Sequence, residues 1–212
     1  MCTKCRPSEP GLKNRVDDVA NPIGGSSALR VHNGKRDRNW RKGAAGEYLM
    51  DQFLHEKLTN GEIVLTDRRV PDAASNIDHV VVAHSGVWII DSKKWKGSIE
   101  YKALTPASGN YRLFVNGGDR TDEVEKIYGL VIPVAQVIGD RSIPINAALC
   151  FINGEWKGSV VLRDLFKKPY KHDRVLISPP RLLVKMIKRD GPLDDQTVQR
   201  IGTLLAQRLR PM

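Results

Sequence analysis

Two aspartates and a lysine interrupt a pair of apolar segments near the middle of the chain. Asp78 stands in the run 77–83, and Asp91 and Lys93 end the run that begins at Gly86. A buried carboxylate costs free energy unless it is paired or bound to a cation. Two carboxylates beside a lysine therefore indicate a divalent metal site. Such a site suits phosphodiester hydrolysis, because a metal ion neutralises charge in the pentavalent state and lowers the pKa of the attacking water.

The two segments are predicted to be strands of a hairpin with a tight turn at 84–86. Side chains alternate faces along a strand, so Asp91 and Lys93 share one face. If the loop has an even number of residues, Asp78 lies opposite Asp91 with the Cβ atoms roughly 5 Å apart, and one Mg²⁺ can bridge both carboxylates. An odd loop with Gly86 as a bulge puts the aspartates on opposite faces unless the bulge restores the register. The sequence leaves both loops possible.

The residues around this hairpin add to the candidate site. Glu47 heads the apolar stripe of a helix predicted over 44–60, although an acidic residue near a helix start also favours the helix dipole. Lys94 and Lys96 could bind phosphate, and Trp95 could stack on a base or pack against the core. His79 points away from Asp78 and is predicted to be a packed, hydrogen-bonded core residue.

The remaining pattern predicts an α/β domain with a mixed sheet flanked by helices. Gly129 and Pro133 interrupt its longest helical stretch. The predicted elements are a helix over 44–60, a strand over 62–70, the two-aspartate hairpin, a second and more exposed hairpin over 99–104 and 111–115, a helix over 120–138, strands over 145–152 and 175–177, and helices over 181–188 and 197–209.

Charge and cysteine content limit the function classes. The net charge is +10, distributed as +6 over residues 1–46, −4 over 47–155 and +8 over 156–212. An acidic centre suits cations and basic flanks suit a polyanion such as DNA or RNA, while a solubility surface is the alternative. The three cysteines form no disulfide framework, and no apolar run approaches the ~18 residues of a membrane span, so we expect a cytoplasmic protein.

The N-terminal part of the chain is predicted to form a separate segment. Residues 1–38 are rich in Pro, Gly, Ser, Lys and Arg, and we expect a basic, disordered arm before a domain over 41–212. Cys2 and Cys5 have zinc-ligand spacing, but no second Cys/His pair follows at usable spacing.

Several segments together resemble a known family. They are GAAGE at 43–47, NIDHVVV at 76–82, GVWIIDSKKWKG at 86–97, and LCFI at 149–152 followed by EW at 155–156. They resemble the nuclease-related domain (NERD) family of the PD-(D/E)xK nuclease-like superfamily. The resemblance implies a restriction-endonuclease-like core that binds Mg²⁺ or Mn²⁺ through Glu47, Asp78 and Asp91, with Lys93 completing the catalytic set.

The sequence departs from the pattern of the superfamily at one position. Many members of the superfamily carry a Gln or Lys on the next helix, whereas Leu130 and Val131 occupy that region here and Gln136 lies beyond Pro133. Our hypothesis is a metal-dependent nuclease that hydrolyses DNA phosphodiester bonds. The alternative is a non-catalytic module on a nuclease fold that binds nucleic acid or protein.

Overall fold

The computed structural model describes residues 34–71, 76–103, 111–157, 170–172 and 175–212. Its helices are α1 (Gly34–Lys57), α2 (Thr121–Gly129), α3 (Val131–Ile138), α4 (Pro180–Ile187) and α5 (Asp195–Arg208). Its strands are β1 (Ile63–Arg69), β2 (Asn76–Ala83), β3 (Gly86–Lys93), β4 (Gly97–Ala103), β5 (Tyr111–Val115), β6 (Gly118–Asp119), β7 (Ile145–Phe151), β8 (Gly154–Trp156), β9 (Tyr170–His172) and β10 (Val175–Ser178).

A six-stranded mixed sheet in the order β1-β2-β3-β7-β10-β9 forms the centre of the fold. β1, β2 and β3 are antiparallel neighbours, and β7 runs parallel to both β3 and β10. Alternate side chains of β2 and β3 enter two separate cores. Val80 and Ile89 pack with residues of α2, α3 and α5, whereas Val81 and Trp88 pack with residues of α1 and α4. The predicted fold class, a mixed sheet flanked by helices with a restriction-endonuclease-like core, is confirmed.

The hairpin between β2 and β3 has a two-residue loop. Ala83 pairs with Gly86 and Val82 with Val87, so the even-loop alternative is the one that the chain adopts. Gly86 is required for a different reason than a bulge. Its φ is +122°, and a Cβ there would lie 2.5 Å from the carbonyl oxygen of Pro144. This glycine therefore lets the segment before β7 pack closely against the start of β3.

A smaller, four-stranded sheet in the order β6-β5-β4-β8 stands beside the central one. The pairing of β4 with β5 confirms the second predicted hairpin. Ile99 and Leu113 are fully buried, so this hairpin has one buried face. β8 joins β4 in parallel and was not predicted, because a three-residue strand leaves no detectable period in a sequence.

One helix prediction was wrong at its start, and the stretch predicted as an interrupted helix is divided next to Gly129. α1 begins at Gly34 and not at residue 44, since the Lys- and Arg-rich stretch before Ala44 has no apolar stripe to reveal a helix that continues from the packed part. The stretch 120–138 is two helices that meet at Leu130. Pro133 lies in the first turn of α3, where its missing N–H costs no hydrogen bond.

Residues 1–33 of the predicted arm, including Cys2 and Cys5, lie outside the described residues, and residues 34–38 belong to α1. Within the described part of the chain, no helix is both long enough and apolar enough to cross a membrane.

His79 lies on the α1 side of β2 and is fully buried, as predicted, but the predicted hydrogen bond is not found, because neither ring nitrogen has a partner in hydrogen-bond geometry among the described residues. The carboxylate oxygen Oδ1 of Asp51 on α1 is 4.0 Å from Nε2, which is beyond hydrogen-bond distance. Burial lowers the pKa of His79 to about 4, and the negative charge of Asp51 opposes this only in part. The imidazole is therefore neutral in the folded protein at neutral pH.

We expect this histidine to make the fold sensitive to mild acid. Between about pH 6.5 and 4 the unfolded chain binds a proton that buried His79 does not, so stability falls as the pH falls, by up to about 3 kcal/mol. His79→Gln should therefore flatten the dependence of the free energy of unfolding on pH across this window, measured by urea denaturation. His55→Gln, at a side chain that is 57% exposed, is the matched control and should leave the slope nearly unchanged. Equal pH dependence of the free energy of unfolding in wild type and His79→Gln would contradict the assignment of His79 as a neutral, buried histidine.

Candidate active site

The paired ends of β2 and β3 bring Asp78 and Asp91 together. The last pair of the ladder is His79 with Ile90, and one further step of the antiparallel register sets Asp78 opposite Asp91. The backbone N–H of Ser92 donates to Asp78 Oδ2 over 2.9 Å, and the Ser92 hydroxyl lies 3.4 Å from the same oxygen. The Asp78 carboxylate is thus fixed against the neighbouring strand and shares a site with Asp91.

Lys93 lies in this site between two carboxylates. Its Nζ is 3.0 Å from Asp91 Oδ2 and 3.1 Å from Glu123 Oε2. Asp91 and Lys93 share one face of β3, as the alternation of the strand predicted, while Glu123 reaches the site from the first turn of α2. These side chains are largely shielded from water, so their charges interact more strongly than surface pairs do.

Glu47 reaches the same site because α1 passes close to the end of β3. A Cβ at Gly46 would lie 2.9 Å from Cβ of Lys94, so a glycine is needed at this crossing. The next residue, Glu47, is close enough for its charge to interact with those of Asp91 and Lys93. The structure therefore gathers all four members of the predicted catalytic set, Glu47, Asp78, Asp91 and Lys93.

The carboxylates of the site have raised pKa values. Burial raises the pKa of Asp78 well above its ordinary value, and the charges of Asp91 and Glu47 raise it further. Burial also raises the pKa of Asp91, although Lys93 opposes this. The pKa of Glu47 is raised by burial and then by the charges of Asp67 and Asp91. Burial is the largest cause at each of the three, and the charges of neighbouring carboxylates add to it.

The ammonium of Lys93 compensates part of this negative charge. Burial lowers its pKa, but the charges of Asp91 and Glu123 outweigh burial and raise it above the ordinary value. Lys93 therefore stays protonated at neutral pH.

These residues fit a divalent cation by their chemistry. Asp91 Oδ1 is buried and receives no hydrogen bond within the described part of the chain, which is costly for a carboxylate oxygen that ligates nothing. Carboxylate oxygens are the ligands that Mg²⁺ prefers. As the side chains stand, no three His, Cys, Asp or Glu residues among those described converge tightly enough to hold an ion. Lys93 supplies the positive charge beside Asp91.

The three predicted nucleic-acid contacts have different surroundings. Lys96 is exposed, and its carbonyl oxygen accepts a hydrogen bond from Asn116 Nδ2 over 2.8 Å. Lys94 is half-buried beside the crossing of α1. Trp95 is half-buried, with its ring centroid 6.0 Å from that of Phe151. The packing alternative for Trp95 therefore has direct support.

Sequence reasoning missed three residues near the site. The guanidinium carbon Cζ of Arg120, just before α2, lies 5.5 Å from the Trp95 ring centroid. Asp67 of β1 has a φ of +50°, rare for a residue other than glycine, and its charge acts on Glu47. Glu123 stood in a first helical turn, where an acidic residue is usually explained by the helix dipole. Only the packing of α2 against β3 distinguishes it from Asp122, so no sequence signal could have found it.

We expect the clustered carboxylates to destabilise the metal-free protein. Asp78→Asn keeps an acceptor for Ser92 and removes one negative charge, so it should raise the free energy of unfolding at pH 8 by about 1 kcal/mol. A carboxyl group whose pKa is raised by folding contributes stability below its unfolded pKa and loses it as the pH rises through its folded pKa. The gain should therefore vanish in acid, as measured by denaturant titration from pH 4 to 8.

Asp122→Asn is the matched control, because this exposed carboxylate on α2 pairs with Lys126 and has a lowered pKa. It should not stabilise the protein. A loss of stability in Asp78→Asn at pH 8 would contradict the electrostatic reading of the cluster.

Comparison with known proteins agrees with the geometry. A family model described as the nuclease-related domain matches residues 42–152, a span that contains Glu47, Asp78, Asp91 and Lys93. No curated protein and no solved structure matches the chain. The matched span is just over half of the sequence and confirms the resemblance seen in its motifs. The chain belongs to the nuclease-related domain (NERD) family, which is of the PD-(D/E)xK nuclease-like kind.

Proposed function

We propose that this protein is a metal-dependent nuclease that hydrolyses phosphodiester bonds in DNA. The observation that carries the proposal is the placing of Asp78 opposite Asp91 at the paired ends of β2 and β3, with Lys93 Nζ 3.0 Å from Asp91 Oδ2 and the charge of Glu47 acting on both aspartates. A structural ion pair needs one carboxylate for each lysine. The excess negative charge is a cost to the fold, and residues with such perturbed pKa values cluster at functional sites.

Asp78, Asp91 and Glu47 are the residues that would hold Mg²⁺ or Mn²⁺. When bound, such an ion supplies charge neutralisation to the scissile phosphate and a more acidic water. The buried Asp91 Oδ1, which lacks a donor among the described residues, is a ready ligand oxygen. Ser92 fixes the Asp78 carboxylate, so little side-chain freedom would be lost when the site is filled.

Lys93 has the position and the charge to act on the phosphate. A protonated ammonium donates hydrogen bonds and stabilises the negative charge that grows on the phosphoryl oxygens as water attacks phosphorus and the ester oxygen leaves. It also orients the attacking water. Burial of its side chain strengthens this interaction, because few solvent molecules screen it.

Nucleic acid as the substrate is supported by the family and by the charge pattern. The acidic centre of the chain carries the candidate metal ligands, and the basic segments 1–46 and 156–212 flank it in sequence. Lys94 and Lys96 follow the catalytic set directly and are the proposed phosphate contacts, with Trp95 beside them as a base-stacking candidate.

Cleavage assays with plasmid, linear and single-stranded DNA test the function. Wild-type protein should cut with Mg²⁺ or Mn²⁺ and not with EDTA. Asp91→Ala should abolish cleavage because it removes a ligand oxygen, and Lys93→Ala should lower turnover strongly while metal affinity changes little. His79→Gln, one residue from Asp78 but on the opposite sheet face, is the matched control and should remain active at pH 8.

Circular dichroism shows whether each variant is folded. Binding of DNA without cleavage in either metal would support the non-catalytic module instead. Equal cleavage by Asp91→Ala and wild type would assign the activity to another site or a contaminant.

We expect Lys96 to contribute to DNA affinity through phosphate charge. Lys96→Ala should weaken binding and reduce the slope of log K against log salt by about 1, because one fewer counterion is released. Fluorescence anisotropy of labelled DNA with Ca²⁺ replacing Mg²⁺ measures both quantities. Lys57→Ala, at an exposed lysine at the C-terminal end of α1, is the matched control. An unchanged slope for Lys96→Ala would show that this lysine does not contact phosphate.

A further inference from the structure

The ammonium of Lys93 has two acidic partners that would play different roles. Asp91 Oδ2 is 3.0 Å away and Glu123 Oε2 is 3.1 Å away. Under the proposed function, Asp91 ligates a cation. A carboxylate bound to a divalent ion has less negative charge to offer a lysine, so the pair between Asp91 and Lys93 weakens when the site is filled. Glu123 would then be the stronger partner of Lys93.

Glu123 is itself held in place. Its other oxygen, Oε1, accepts a hydrogen bond from Lys126 Nζ over 2.9 Å, and its side chain is only 16% exposed. Val124 and Ile127, on the neighbouring positions of α2, are buried in the core. Asp119 fixes the helix start by accepting from the backbone N–H of Thr121 over 2.9 Å. Glu123 therefore presents one oxygen to Lys93 from a rigid helix.

We propose that Glu123 is a positioning residue that keeps the Lys93 ammonium in the site when Asp91 ligates the metal ion. This inference rests on the proposed nuclease function. Glu123 stands on α2, the next helix after the two-aspartate hairpin, where the sequence offers no Gln or Lys in the expected region. It acts through Lys93, so it governs turnover more than affinity for metal or DNA.

Kinetics of Glu123→Gln test this role. The amide preserves the shape and removes the charge, so kcat should fall on the order of 10- to 100-fold. KM for DNA and the Mg²⁺ concentration for half-maximal rate should change less than about threefold. Glu125→Gln, at an exposed position of the same helix, is the matched control and should keep wild-type kinetics.

A double substitution separates positioning from a general structural effect. In a Lys93→Ala background, Glu123→Gln should cause little further loss of kcat, because the group that it positions is gone. An equal fold-loss in both backgrounds would overturn the proposal, as would wild-type kcat in a folded Glu123→Gln protein.

A second readout does not need cleavage. Only the unprotonated amine reacts with an acetylating reagent, so loss of the Glu123 charge should speed acetylation of Lys93 at pH 9 by roughly threefold or more. The full-length protein is acetylated without metal or DNA, and mass spectrometry of the peptide that contains Lys93 gives the rate at this residue. Glu125→Gln should match wild type. An unchanged acetylation rate of Lys93 in Glu123→Gln would show that Glu123 does not hold the ammonium and would overturn the proposal. If wild-type protein cuts no DNA but Lys93 responds, only the proposed nuclease function fails.

Discussion

Repulsion between Asp78 and Asp91 is the interaction on which the site depends. The two-residue turn and the apolar pairing of β2 with β3 impose a register in which the carboxylates meet. A slip by one residue would separate them, but it would also move every valine of β2 to the wrong core. Burial of Val80 to Val82 thus supplies the free energy that holds two like charges together.

The surrounding elements add charges at fixed places around this pair. α1 crosses the end of β3 at Gly46, where no side chain intervenes, and so delivers Glu47. α2 packs on the opposite side through Val124 and Ile127 and delivers Glu123. Lys93 lies among these acids and stays protonated because two of them outweigh its burial. Rigid elements, and not loops, therefore position each charged group.

Two neighbouring polar residues of β2 lie on opposite faces of the strand and have different surroundings. Asp78 faces the charged site, whereas His79 enters the core beneath α1 as a neutral imidazole. Burial thus shifts the two pKa values in opposite directions, because it disfavours the charged form of each group: it raises the pKa of the acid and lowers that of the base. The pH therefore affects stability at both residues in opposite directions: protonation in acid opposes folding at His79 and favours it at Asp78.

The sequence by itself determined the α/β class, the order of the main elements, and the identity of Glu47, Asp78, Asp91 and Lys93 as candidates. Alternation along β3 was enough to place Asp91 and Lys93 on one face, because the strand period is local. It could not choose between an even and an odd loop, since Gly86 fits both. The tertiary structure shows the even loop, with Ala83 paired to Gly86. It also decided that Glu123 contacts Lys93 from across 30 positions of sequence. A contact of that kind depends on how a helix docks on a sheet, and no local pattern encodes it.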